Sequence, residues 1–260
     1  MKRLFKWLKG TYLGLILLFL YAPIAVMIVL SFNASKTRAK WGGFTLNWYK
    51  ELFTNSPEIM QALKVTLEVA VIATAVSVVL GTFAAIGIYA SRKNYAKMLV
   101  NISYLPMTLP DIVTGVSLML MFVFVKLPRG MFTMILAHIT FDTPYVLFAV
   151  LPKLRQLDPN TYEAALDLGC KPMKAIFKVM IPEISPGIVT GGLLALTMSL
   201  DDFVISFFTT DYDQNLSTLI YSAAKRTVPP SIYALSTLIF ITVLALLMII
   251  NKRSNLETLS

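Results

Sequence analysis

Residues 158–182 read DPNTYEAALDLGCKPMKAIFKVMIP, a polar and basic insert between two long apolar runs. Asp158 can accept from the orphan N–H groups of a helix start, and Pro159 is tolerated at the first helical position. Gly169 is placed to stop that helix, and Pro172 to open a second one. In the second, Met173, Ile176, Phe177 and Met180 recur at helical spacing while Lys171, Lys174 and Lys178 line another side. Pro182 is expected to close it. The insert therefore predicts helix, glycine bend, helix, with one apolar and one basic stripe on a loop. An apolar stripe outside the bilayer is buried either in the groove of a soluble partner or, as an amphipathic interfacial hairpin, among lipid headgroups.

The composition around this loop is that of a polytopic membrane protein: 57% hydrophobic and 14% charged over 260 residues, with a mean hydropathy of +0.71. The net charge of +9 does not point to nucleic acid, because the basic residues are scattered between apolar runs, where topology and anionic headgroups account for them. Cys170 is the single cysteine, so no disulfide framework or cysteine-rich metal site can form within the chain. It reads as a packing residue.

Six spans are expected, at about 12–32, 66–90, 99–125, 131–151, 186–208 and 231–250, within one transmembrane domain over 1–260. The first follows Lys2, Arg3, Lys6 and Lys9 with Trp7 at the interface. It is too long for a signal-peptide core and reads as a retained span that Pro23 kinks. Between 33 and 61, Trp41, Phe44, Trp48, Tyr49 and Phe53 alternate with basic residues, which predicts interfacial helices. Glu68, near the outer end of the second span, is expected to snorkel or to pair within the bundle. The third span is interrupted by Pro106, Pro110 and Asp111, a combination tolerated only where freed backbone and charge face protein or water. In the fifth, Gly187 and Gly191 have the spacing that lets membrane helices approach closely. Lys252 and Arg253 stop the last span. Of the 23 Lys and Arg residues, 14 fall at the two ends, in the 91–97 turn and in the 152–182 loop, which biases those segments toward the cytoplasm.

No G-x-x-x-x-G-K-[ST], G-x-S-x-G or H-E-x-x-H stretch occurs, so the chain supplies no Walker A phosphate cradle, and neither catalysis nor a cofactor is expected. A lone His138 reads as a helix-packing residue, not a metal ligand. The informative residues are the intramembrane carboxylates Asp111, Asp142, Asp201 and Asp202, each costing about 2.5–3.5 kcal/mol at a helix centre. They are candidates for lining a translocation path, which would favour a cationic solute. The alternative is that they cap broken helices or pair with basic residues. The path reading is the stronger for Asp111 and Asp201, the capping reading for Asp142 and Asp202.

Glu163-Ala164-Ala165, three residues, Gly169, nine residues and Val179-Met180-Ile181-Pro182 resemble the EAA loop of binding-protein-dependent ABC-importer permeases, with Val and Ile where the pattern prefers Ile and Leu. SFNASKTRAKWGGFTLNWYKELF, LPDIVTGVSLML, HITFDTPYVLFAV and LTMSLDDFVIS are similar to stretches of the permeases of spermidine/putrescine importers, in order over nearly the whole chain. The resemblance implies an all-α membrane protein of six transmembrane helices with a cytoplasmic coupling-helix loop, the MetI-like ABC permease fold. It further implies residence in a bacterial cytoplasmic membrane with both termini inside. Expected partners are a second, related permease subunit, two copies of a cytoplasmic ATPase and an extracytoplasmic polyamine-binding protein. Glu163, Ala164, Ala165, Gly169 and Pro182 carry over as ATPase-coupling residues, and Asp111 and Asp201 as polyamine-path residues. The alternatives are an ABC permease for another small solute, such as ferric iron, or a proton-coupled secondary carrier. A secondary carrier has no use for an EAA loop and is usually built from inverted repeats, none of which is detectable here.

Overall fold

The computed structural model describes the chain except Met1, Arg38, Thr227 and residues 258–260. Side chains of the N-terminal basic residues Lys2, Arg3 and Lys6, of Trp7 and of the stop signal Lys252-Arg253 also lie outside the described set. The chain divides into two compact units, one of residues 1–60 and 220–260 and the other of residues 61–219.

In the first unit, the long helices α1 (Lys2–Ser31) and α12 (Pro230–Glu257) pack together, and the short α2 (Asn47–Thr54) packs on α12. Pro23 is accommodated inside α1. The segment after α1 is folded around Asn33, which is 2% exposed. The Asn33 side chain accepts from the N–H groups of Ser35 and Gly42 and donates to the Lys40 carbonyl, at 2.8–3.1 Å. Its carbonyl accepts from the Trp48 indole at 2.7 Å. Trp48 is thus a buried clamp, unlike the exposed Trp41 and Phe53.

The second unit holds α3 (Pro57–Ala90) from residue 61 on, α4 (Lys93–Thr108), α5 (Asp111–Phe124), α6 (Met131–Gln156), α7 (Pro159–Asp167), α8 (Pro172–Ala175), α9 (Ile181–Asp201), α10 (Val204–Thr209) and the start of α11 (Leu216–Ala224), which runs on past residue 219 into the first unit. Glu68 on α3 pairs with Lys64 one turn earlier at 3.6 Å, on the exposed face. The core lies between α3, α6 and α9, where Ala85, Val146, Val150, Leu154, Ile184 and Ala195 are fully buried. Glycines set the helix spacing. A Cβ on Gly81 would fall 2.7 Å from Val146 Cβ and 2.9 Å from the Thr143 carbonyl, and one on Gly191 would fall 3.0 Å from Val146 Cα. Gly187 sits against the Ala149 carbonyl and Lys153, so the small-residue pair of the fifth span does carry the close approach of α9 to α6.

Pro182 does not close the second helix of the 158–182 segment as expected. Residues Pro172–Asp201 run on as one apolar helix of 30 residues, passing from α8 through a π-helical turn at Ile176–Met180 into α9. A proline removes one ladder hydrogen bond and crowds the preceding turn. A wider π turn just before it gives the room, so the helix continues.

Among the described residues, four helices are long and apolar enough to cross a membrane: residues 9–31, 57–90, 131–156 and 172–201. The pair α4 and α5, bent by 102°, passes the same test together, and Pro230–Ala245 is a shorter apolar stretch.

Candidate functional site

Two helix breaks meet in the second unit. The first break falls between α4 and α5 at Leu109-Pro110, where Leu109 takes an extended ψ of 145°. The residue before a proline is pushed out of the α region, and Pro110 offers no N–H to continue the ladder. Asp111 then opens α5 and is exposed. The second break falls at Asp202-Phe203, between α9 and α10, with no proline to cause it. Here Asp202 takes ψ 126° and turns its carboxylate back onto α10, accepting from the N–H groups of Ile205 (3.2 Å) and Ser206 (2.8 Å) and from the Ser206 hydroxyl (2.8 Å). It is a helix cap, with a side chain only 7% exposed.

The segments beyond the two breaks, α5 and α10, pack on one another. Gly115 permits it: a Cβ there would lie 3.1 Å from the Phe208 ring and 3.4 Å from the Val204 carbonyl. Leu118 and Phe122 of α5, Ala137 and Phe141 of α6 and Ile205 of α10 fill the space between them. Thr133 at the start of α6 donates to the Thr209 carbonyl at 2.8 Å. The flanking loops are tied by Arg129 to Asp211 at 2.6 Å and by the Met131 N–H to Asp213 at 2.8 Å.

All four sequence-predicted carboxylates are brought into this region. Asp111 opens α5, Asp201 and Asp202 stand at the second break, and Asp142 lies on α6, which packs on both α5 and α10. They differ in surroundings. Asp111 and Asp201 are exposed, whereas Asp142 is fully buried and neither of its oxygens has a hydrogen-bond partner among the described residues. Sequence reading missed Asn215, Ser199 and Ser206, which bond to His138 or Asp202 in the interior. The available signal was the spacing of Ser199, Asp202 and Ser206, which share one helical face in a run that is apolar apart from these and Asp201.

The two buried carboxylates predict opposite responses. Asp202→Ala strands two N–H groups and a hydroxyl, at a cost of about 2–4 kcal/mol. Asp142→Asn removes no hydrogen bond and is expected to leave stability unchanged or higher. Thermal unfolding of the solubilised variants, followed side by side, checks the contrast; an equal loss in both would contradict the capping role.

The first half of the 158–182 segment is built as its sequence requires. The Asp158 side chain accepts from the Asn160 N–H at 3.0 Å, Pro159 stands in the first turn of α7, and Gly169 ends it at φ +83°. Cys170 N–H reaches the Ala165 carbonyl at 3.0 Å and Gly169 N–H the Leu166 carbonyl at 2.8 Å, the double closure typical of a glycine-terminated helix. The apolar stripe of the second helix splits. Met180 is buried and Ile176 half-buried against α3 and α6, while Met173 and Phe177 are 59% and 51% exposed, as is Leu168 at the end of α7 at 89%. Glu163 and Tyr162 face a cavity of about 280 Å³ floored by Ile86, Leu157, Ile176 and Met180.

Comparison with known proteins agrees with these features. The chain is 40% identical over 233 residues to the putrescine transport system permease protein PotI of Escherichia coli, covering 85% of this chain and 81% of PotI. It is 33% identical over 253 residues to the spermidine/putrescine transport system permease protein PotC of Haemophilus influenzae, covering 96% and 98%. A solved bacterial ABC transporter involved in the import of the acidic polysaccharide alginate shares the fold, with a TM-score of 0.74 at 13% identity over 96% of both chains. Residues 77–255 match the family described as binding-protein-dependent transport system inner membrane component. With an ABC-permease fold and matches over most of its length, the chain belongs to that family of multi-pass inner-membrane transport components.

Proposed function

We propose that this chain is the six-span permease subunit of an ABC importer that carries polyamines, such as putrescine and spermidine, across the cytoplasmic membrane. The observation that carries the reading is that two helix breaks, each bearing carboxylates, lead into helices that pack on one another, in a chain 40% identical to a putrescine permease. A polyamine is a multivalent, flexible cation, and a dry apolar pore would impose a large desolvation cost that nearby carboxylates offset. Asp111 and Asp201 are the exposed members and are assigned to the path. Release requires the attraction to stay weak, which favours one or two carboxylates over a closed cage.

The energy is assigned to a partner ATPase, because the chain holds no Walker A loop. Glu163, Ala164, Ala165, Gly169 and Pro182 lie on or beside the segment proposed to dock on it. A second, related permease completes the pore, and an extracytoplasmic binding protein delivers the polyamine. Uptake of labelled putrescine and spermidine into vesicles containing the assembled complex tests the reading. It should require ATP and survive a proton uncoupler at constant ATP. Absence of polyamine uptake from complexes that transport another solute would refute it; collapse with the uncoupler would indicate a secondary carrier.

In this reading 91–97, 153–182 and both termini are cytoplasmic, while 33–61 and 209–230 face outward. Single-cysteine labelling with an impermeant reagent in a Cys170→Ser background checks the topology. A cysteine at Lys93 should label only in inverted vesicles, and labelling from outside intact cells would reverse the assignment.

A further inference from the structure

His138 joins the two sides of the second helix break. It is 1% exposed. Its Nδ1 lies 2.6 Å from the Ser199 hydroxyl on α9, before the break. Its Nε2 lies 2.9 Å from the Ser206 hydroxyl on α10, after it, and 3.4 Å from Asp202 Oδ2. Asn215, also 1% exposed, approaches from the segment leading into α11. Its side-chain amide donates to Ser206 Oγ at 2.8 Å and to the Asp202 carbonyl at 3.2 Å, and its oxygen accepts from the Thr218 N–H at 2.9 Å.

The proton count of the Ser206 hydroxyl makes this a directed network. Its one proton goes to Asp202, so its lone pairs are what Asn215 and His138 Nε2–H can use. With Nε2 donating, a neutral ring leaves Nδ1 to accept from Ser199. Ser206 and His138 hold the Asp202 carboxylate inward and Asn215 holds its backbone carbonyl, although Asp201, the adjacent residue, is exposed. Two adjacent carboxylates at a break are thereby given different fates by His138, which is distant in the chain, and by Asn215 from beyond α10.

We propose that His138 and Asn215 are positioning residues for transport: they retain Asp202 in the α10 cap, so that Asp201 alone of the pair presents its charge to the cation. The proposal rests on the polyamine reading above. Its consequence is selectivity by length. One carboxylate from each break, Asp111 and Asp201, presents fixed charge positions, and a diammonium and a triammonium ion differ in how they can match them. Freeing Asp202 adds a further anionic position and blurs that difference.

The test uses the assembled complex with its ATPase in vesicles, driven by saturating binding protein preloaded with either putrescine or spermidine, so that selection by the binding protein is bypassed. The readout is the ratio of maximal uptake rates for the two cargoes per assembled complex. His138→Leu and Asn215→Ala should each change this ratio by at least about threefold, the size of a modest coupling between neighbouring side chains. His138→Gln, which keeps a donor and an acceptor, should restore it partly. Adding Asp202→Asn to Asn215→Ala should suppress the change, because the charge to be withheld is gone. If His138→Leu fails to assemble, Asn215→Ala and His138→Gln carry the measurement. Ratios equal to wild type in assembled variants, or a ratio change that persists in the Asp202→Asn double variant, would overturn the proposal. Lack of uptake of either cargo by the wild-type complex would instead refute the polyamine reading.

Discussion

Asp201→Asn is expected to lower polyamine uptake by about tenfold or more while the protein remains in the membrane and bound to its ATPase, and Asp111→Asn to act in the same direction. Both residues are exposed at the ends of interrupted spans, so neither substitution removes a packing contact that the fold depends on. Asparagine keeps the size and most of the hydrogen bonding and removes only charge. Tenfold corresponds to about 1.4 kcal/mol of barrier. Two unit charges 4 Å apart interact by about 4 kcal/mol at the effective dielectric of a protein near water, so a partly solvated contact readily supplies that amount. The loss should be larger for spermidine than for putrescine, because a more highly charged ion depends more on compensation. Uptake measured per assembled complex checks this, and wild-type rates in both variants would remove the two residues from the path.

What could be read in advance followed the range of the forces involved. The Asp158 cap, the Pro159 start, the Gly169 bend and the Pro110 break are decided by residues within a few positions of one another, and each is found where the sequence puts it. The second break is different. Nothing in Ser199–Ser206 forbids a continuous helix, and its interruption is supported by His138 from α6 and Asn215 from beyond α10, partners that no local pattern reveals. A lone histidine in an apolar helix correctly suggested packing. That it bonds through both ring nitrogens became visible only when α6, α9 and α10 were brought together. Pro182 failed for a related reason: the rule that proline ends a helix assumes a regular preceding turn, and the turn here is π-helical. Trp48 was grouped with interfacial aromatics, but the loop around Asn33 folds over it.

The EAA segment carries the other large expected effect. Its outward face exposes Leu168, Met173 and Phe177 beside Lys171, Lys174 and Lys178, an arrangement suited to a groove with an apolar floor and acidic walls. At Gly169 the backbone sits at φ +83°, yet among the described residues no atom beyond its chain neighbours lies within 4 Å of where a Cβ would be. The glycine is therefore required for its conformation and not for close approach. A left-handed L-residue costs about 1–2 kcal/mol, and asparagine is among the residues that visit this region most readily. Gly169→Val should accordingly tilt α7 against α8 and reduce transport per ATP hydrolysed at least about fivefold, the low end of typical coupling between sites. Gly169→Asn should retain most of it. Glu163→Lys, at an exposed position beside the cavity between α3, α6 and α7, reverses charge without disturbing the core and should weaken ATPase docking. Co-purification of the ATPase and uptake-linked hydrolysis separate the two defects: loss of association for Glu163→Lys, loss of coupling with association retained for Gly169→Val. Normal assembly together with full transport-linked hydrolysis in both would exclude this segment as the element through which ATP-driven motion reaches the spans.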